Sequence, residues 1–235
     1  MEDTNRLYDG VRSQIKYNII NGVYPMGKRL KAKTLADELY VSRSPVNKAL
    51  SSLYEEGLLN YNRNVGYSVR IITIEDIEEI FKIRAALDIL SFKEASLKMD
   101  KSSFSYLRNL VKEAELAFNN NDIDGLREAS KSFNESIYEF SDMPRLKMII
   151  SGLDDYIEVL RKFSYDAKNP ESKNSRRKIS VEEHSKMLDL MEEKSFDELE
   201  NAIREHLEDS KNYIISQSQF YKDKIFDGID RSDDR

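Results

Sequence analysis

The chain of 235 residues is 40% apolar and carries a formal net charge of −6, enough material for a core in each of two domains. It has no cysteine, which excludes disulfides, thiolate nucleophiles and cysteine-built zinc sites and fits a reducing cytoplasm. No apolar run approaches the ~18 residues that span a bilayer, and the opening MEDTNRLYDG lacks a basic, apolar leader, so a soluble, unprocessed cytoplasmic protein with no membrane partner is expected.

The charge is uneven. Residues 1–72 hold 11 Lys and Arg against 7 Asp and Glu, a balance of +4, which leaves −10 for the rest. A basic head on an acidic body keeps attraction to phosphate local.

From Asn5 to Asn21, Leu7, Val11, Ile15, Ile19 and Ile20 recur every three or four residues, the stripe of an amphipathic helix that Gly22 ends. GVYPMGKRL reads as a turn. A short helix follows at Thr34–Tyr40, with Thr34 as N-cap and Leu35, Ala36 and Leu39 inward. In VSRSPVNKALSSLYEEGLL the pattern predicts a second helix with Ser44 as cap, Pro45 at the first helical position, and Val46, Leu50 and Leu53 on one face. After Gly57 come two extended runs, Leu58–Tyr61 and Tyr67–Ile71, around a polar tip at residues 62–66. Two closely joined helices followed by a β-hairpin make a winged helix-turn-helix.

From Thr73 onward the pattern is helical, with predicted helices at 75–99, 102–119, 124–141, 144–166, 179–194 and 196–221. Ala167–Lys178, AKNPESKNSRRK, reads as a polar connection, and the tail after Lys224 reads as frayed. The fold class is therefore mainly α. A winged helix-turn-helix over 1–72 precedes an all-α antiparallel bundle over 73–235.

In a helix-turn-helix the second helix enters the major groove N-terminus first, which points to Ser42–Lys48. Arg43 can reach a guanine edge or a phosphate, and Ser42 and Ser44 can donate to phosphates. Asn47 can read adenine, and Lys48 suits the backbone. Lys28, Arg29, Lys31 and Lys33 form a basic cluster that is either a further contact or a solvated loop. Arg63 at the hairpin tip can enter a minor groove, where Gly66 either lets the backbone approach or simply serves the turn.

The string from Ile15 through Val69, including NGVYPMGKRL, LADELYVSRSPVNKALSSLYEEGLL and NVGYSV, resembles the DNA-binding domain of GntR-family regulators. The resemblance implies that Lys33 and Arg43 stand where DNA-contacting basic residues do, and Gly66 where the wing glycine does. Where the family carries Arg-Glu in PVREAL, this chain has Asn47-Lys48, which implies an altered operator.

The helical body, with FKIRAALDIL near its start, resembles the FCD-type effector domain of the FadR subfamily. Metal-binding members carry Asp and His four apart on one helix and two further His later. Here EEHSKML and IREHLED supply His184 and His206, the only histidines, whereas the first pair falls on Ser130 and Asn134. Neither is a good ligand for zinc or nickel. Three outcomes are open for this pocket: a divalent metal on His184 and His206, a metal-free polar pocket using Arg84, Ser130, Asn134, His184 and His206, or ordinary helix histidines. Arg84, in helical register with Ile80 and Leu87, needs an anionic partner, either a bound carboxylate or a neighbour such as Asp88.

The resulting expectation is a homodimeric, non-enzymatic transcription regulator, most simply a repressor. It would bind a palindromic operator and respond to a small carboxylate or sugar-acid effector. A constitutive DNA-binding dimer and a helical metalloenzyme are the alternatives. The second lacks any carboxylate–histidine motif such as H-E-x-x-H.

Overall fold

The structure is a computed structural model that describes the backbone at residues 2–165 and 170–228 and the side chains at 7–153, 156–160 and 175–216. The chain divides into two compact units, one of Met1–Ile74 with Asp154–Lys162 and Ser218–Arg235, the other of Glu75–Leu153 and Phe163–Gln217.

The first unit opens with α1 (Glu2–Ile20), whose Val11, Ile15 and Ile19 are buried while Leu7 stays exposed. Strand β1 (Arg29–Leu30), helix α2 (Ala32–Glu38) and helix α3 (Arg43–Glu55) follow. Strands β2 (Leu59–Asn62) and β3 (Gly66–Val69) form the hairpin, and β1 adds to β3, giving an antiparallel sheet in the order β1-β3-β2. Leu59 pairs with Val69, both buried, and the same face continues outward as the Tyr61–Tyr67 pair. Ile15, Val46, Leu50 and Leu53 are almost fully buried at the centre of this unit's core. Truncating any one of them to alanine should cost about 2–5 kcal/mol.

Local details depart from expectation in the head. Thr34 is not a cap: α2 begins at Ala32, and Lys31 holds the extended N-cap conformation, because the pairing of Arg29 and Leu30 with β3 ends just before it. Ser42 rather than Ser44 is the N-cap of α3, with φ −72° and ψ 162°. Pro45 therefore sits third in that helix, where its missing N–H still falls among donors that have no intrahelical acceptor. The stretch read as a turn also contains β1. Two residues carry too little alternation to announce a strand.

The second unit takes α4 (Ile74–Lys98), α5 (Lys101–Asn119), α6 (Ile123–Phe140), α7 (Pro144–Tyr165), α8 (Pro170–Glu193) and α9 (Phe196–Gly228), less the parts of α4, α7 and α9 that belong to the first unit. Asp100 and Asp122 cap α5 and α6 by accepting from the N–H groups of Ser103 and Gly125. The amide and hydroxyls of Ser103 and Ser102 hold the Asp100 carboxyl down to about 2. Helix α5 packs against α6 and α8, with Ala114, Ala117, Leu126, Ala129 and Val181 forming one buried cluster.

The connection read over 167–178 is corrected: α8 already runs from Pro170, and only 166–169 lie outside the described residues. Proline is tolerated in a first helical turn, so Pro170 opens the helix rather than interrupting a loop. Among the described residues of α8 the buried positions are Arg177, Val181, His184, Met187, Leu188 and Met191, a helical stripe whose first described member is an arginine. An apolar pattern therefore shows only from Val181. Helix α9 likewise continues through Lys224 to Gly228, and the tail from 229 lies outside the described residues.

Candidate functional site

In the first unit, the inward face of α3 leaves Ser42, Arg43, Ser44, Asn47 and Lys48 exposed on its opposite side. The Ser42 side chain makes no capping bond, so the first-turn N–H groups remain available to an outside acceptor. Lys33 is exposed in the first turn of α2, and Arg63 is exposed in the three-residue turn between Asn62 and Gly66. Arg43, Lys33 and Arg63 make no ion pair among the described residues. Lys48 differs, since its ammonium lies 4.2 Å from the centre of the Tyr8 ring, as Lys28 lies over Tyr24. Gly66 has φ +87° and nothing within 4 Å of where a Cβ would stand. The turn thus requires the left-handed conformation, and the space beside it is open.

Arg12, Lys16 and Ser52 converge on Glu56, tying α1 to the end of α3. This places two of the head's positive charges in a structural pairing.

In the second unit, the structure brings together most of the polar residues singled out from the sequence. Arg84, Asn134, His184 and His206 are buried, and Ser130 is half-buried. The His184 ring stacks on Phe133 at 4.7 Å, and the His206 ring lies 5.1 Å from His184. Arg84 donates to Asp88 at 3.0 Å, and Tyr138 donates its hydroxyl to the other carboxylate oxygen at 2.8 Å. The neighbouring carboxylate is thus a partner of Arg84 within the folded chain.

Two residues that sequence reasoning missed, Glu183 and Arg176, complete the cluster. Glu183 lies 2.6 Å from Nδ1 of His206 and accepts from Arg176 at 2.9 Å. Arg176 also donates to the His206 carbonyl and the Ser210 hydroxyl. Burial, helped by the nearby charges of Arg176 and Arg84, pushes the His206 imidazole below its ordinary value despite Glu183. A neutral His206 then donates Nδ1–H to Glu183 and keeps Nε2 as a lone-pair acceptor. Burial acts to raise Glu183, but the bonds from His206 and Arg176 outweigh it and hold the carboxylate ionised. The signal for Glu183 was its place beside His184 in EEHSK. Arg176, two turns earlier, lay in the stretch read as a loop.

The donors do not fit a resident divalent metal. Asn134 gives its amide to the Ser130 carbonyl at 3.0 Å, and among the described residues no group of three His, Cys, Asp or Glu converges as a ligand set. Two imidazoles alone leave a tetrahedral or octahedral ion short of ligands.

A family model described as bacterial regulatory proteins, gntR family, matches residues 7–69, and one described as the FCD domain matches residues 79–209. The chain is similar to the uncharacterized HTH-type transcriptional regulator YdhC of Bacillus subtilis, 27% identical over 196 residues that make up 83% of each chain. It is also similar to the HTH-type transcriptional regulator McbR of Escherichia coli, 26% identical over 68% of this chain and 72% of that one. Among solved structures, E. coli McbR/YncC superposes with a TM-score of 0.73 at 22% identity, covering 90% of this chain and 98% of the other. A putative GntR regulator from Rhodococcus sp. RHA1 gives 0.69 at 19% identity, covering 92% and 99%. These likenesses show the same fold. No helix among the described residues is long and apolar enough to cross a membrane.

Proposed function

Since the chain belongs to the GntR family, with an FCD domain behind its winged head, it is a transcriptional regulator and not an enzyme, and we propose that it is a cytoplasmic, homodimeric repressor whose hold on a palindromic operator is set by a small organic-acid effector. In this reading residues 1–72 bind DNA and residues 73–235 bind the effector and the second copy.

The observation that carries the DNA reading is the face of α3 just described. Ser42, Arg43, Ser44 and Asn47 stand exposed together over a helix whose other side is core. Arg43 and Asn47 would read base edges, Ser42, Ser44, Lys33 and Lys48 would hold phosphates, and Arg63 with Gly66 would follow the adjacent groove.

An apolar face supports the homodimer. On α4, Ile83, Leu90 and Leu97 are exposed at intervals of seven residues. Met148 and Ile149 are exposed on α7, which meets α4 where Leu87 packs with Leu146 and Ile150. A twofold pairing through this face would present two heads to two half-sites.

The polar cluster in the body supports the effector reading. Arg84, Asn134, His184 and His206, with Ser130 at the edge, would recognise a small carboxylate or sugar acid without a zinc or nickel ion. The lone pair on His206 suits a hydroxyl donor. Coupling between such a site and DNA is typically about 1–3 kcal/mol.

Selection of random duplex DNA by the purified full-length protein, with and without candidate acids, tests the function. Enrichment of a palindrome whose recovery changes with one acid is expected, and failure to enrich any sequence would sink the DNA reading. A thermal-shift screen separates the constitutive alternative: a cognate acid at 100 times its Kd should add about 2.7 kcal/mol. Elemental analysis of untagged protein is expected to find no stoichiometric metal, and a full equivalent would revive the metal-bearing alternatives.

A further inference from the structure

Beyond the pairing of β1 with β3, the tip of the wing is tied to β1 by one side chain. Arg29 pairs with Ser68 in the sheet, and its exposed side chain runs along β3 toward the tip, where Nε donates to the Val65 carbonyl at 2.7 Å. The turn that carries Arg63 has little else to hold it. Val65 N–H donates to the Asn62 carbonyl at 3.0 Å, and Asn64 N–H donates to the Asn62 side chain at 3.0 Å. Gly66 then adopts the left-handed conformation that returns the chain to β3.

A guanidinium has five N–H donors in a planar fork, and the bond to Val65 uses one. The terminal amino groups of Arg29 have no partner among the described residues. They belong to an exposed side chain bonded to the wing tip, and the same turn carries the exposed cation Arg63. Two exposed cations, one on the turn and one bonded to it, with open space beside Gly66, suit an anion that runs past the tip.

We propose that Arg29 is a further DNA-contacting residue, one that braces the wing tip through Nε while its terminal amino groups take a backbone phosphate beside the groove that Arg63 enters. The proposal rests on the DNA reading above. It makes Arg29 a geometric requirement as well as a charge, because a lysine has a single nitrogen and cannot hold both acceptors in the fork geometry.

The experiment uses the full-length protein and a duplex that it selects in vitro. For the R29Q variant, loss of one phosphate contact should lower the slope of log affinity against log salt by about 0.9, with weaker binding to every sequence. Hydrogen exchange of the Asn64 and Val65 amides in the DNA-free variant should be faster than in the wild type. R29K is expected to keep the salt slope and still show the faster exchange. A wild-type slope in R29Q would overturn the phosphate contact, and unchanged tip exchange in both variants would overturn the brace. If the wild type itself selects no duplex, the regulator reading fails and this inference with it. A wild type that binds while R29Q binds identically condemns the inference alone.

Discussion

Arg84 and Asp88, one turn apart on α4, form a 3.0 Å ion pair with side-chain exposures of only 8% and 3%. Tyr138 closes the pair by donating to the second carboxylate oxygen, so both charges are compensated inside the bundle. Removing one partner leaves an uncompensated buried charge, which is far costlier than removing both. Asp88→Ala should therefore destabilise the protein by about 3–5 kcal/mol, and Arg84→Met with Asp88→Leu by much less. Urea denaturation of the single and double variants checks this, and equal losses in the two would contradict it.

Glu56 supplies a pH signature of the head. Burial acts to raise its carboxyl, but hydrogen bonds from Arg12 and Ser52 and the charge of Lys16 outweigh burial and hold it below the ordinary 4.5. A carboxyl lowered in the folded state stabilises above its unfolded value and loses that contribution as pH falls through the folded value. Unfolding temperatures of the wild type and Glu56→Gln should thus differ at neutral pH and converge as the solution enters the carboxylate range. Parallel curves would show that the cluster contributes nothing.

Tyr40 follows Leu39, the C-cap of α2, with φ +55° and 95% exposure. Its N–H reaches the Asp37 carbonyl, and the next N–H reaches that of Ala36. That closure of a helix end favours glycine, and an L-residue in it costs about 1–2 kcal/mol. Tyr40→Gly should raise stability by about 1 kcal/mol, somewhat offset by the freer unfolded chain. Chemical denaturation measures this, and a loss of stability would mean that the ring makes contacts its exposure hides.

Arg43→Ala should abolish specific operator binding and leave the protein folded, because the side chain is exposed and outside the core. Asn47→Arg should change the base preferred at one position of each half-site, with about 1–3 kcal/mol of discrimination at stake. Repeating the selection with each variant reads both. An unchanged profile for Asn47→Arg would remove Asn47 from base readout.

Leu90→Lys sets a charge in the middle of the exposed stripe on α4. Light scattering is expected to find dimers for the wild type and monomers for the variant, with unaltered helical content by circular dichroism. A dimer that survives the change would place the twofold contact elsewhere.

How much was legible from sequence varied with the physical signal. The inward stripe of α3 and the hairpin were readable, because Val46, Leu50 and Leu53 recur at helical spacing and the alternation changes after Gly57. The start of α8 was not. Its first buried side chain among the described residues is Arg177, and a cation at that point in a stripe looks like a solvated loop. In the body, the resemblance directed attention to His184 and His206. Glu183 and Arg176 escaped, because a hydrogen bond to a histidine on another helix leaves no periodic trace.

The sequence by itself determined the winged head, the helical body and the exposed basic residues of α3, since each follows from periodicity along a single element. Only tertiary structure decided the partners of the polar side chains: that Arg84 is answered by Asp88 and Tyr138, that His206 is held by Glu183, and that Arg29 donates to the Val65 carbonyl at the wing tip. Local spacing fixes which face a side chain occupies. The partner that neutralises a charge or accepts its hydrogen bond often comes from an element distant in sequence, and in a low-dielectric interior that partner decides whether the group is a brace, an acceptor or a binding site.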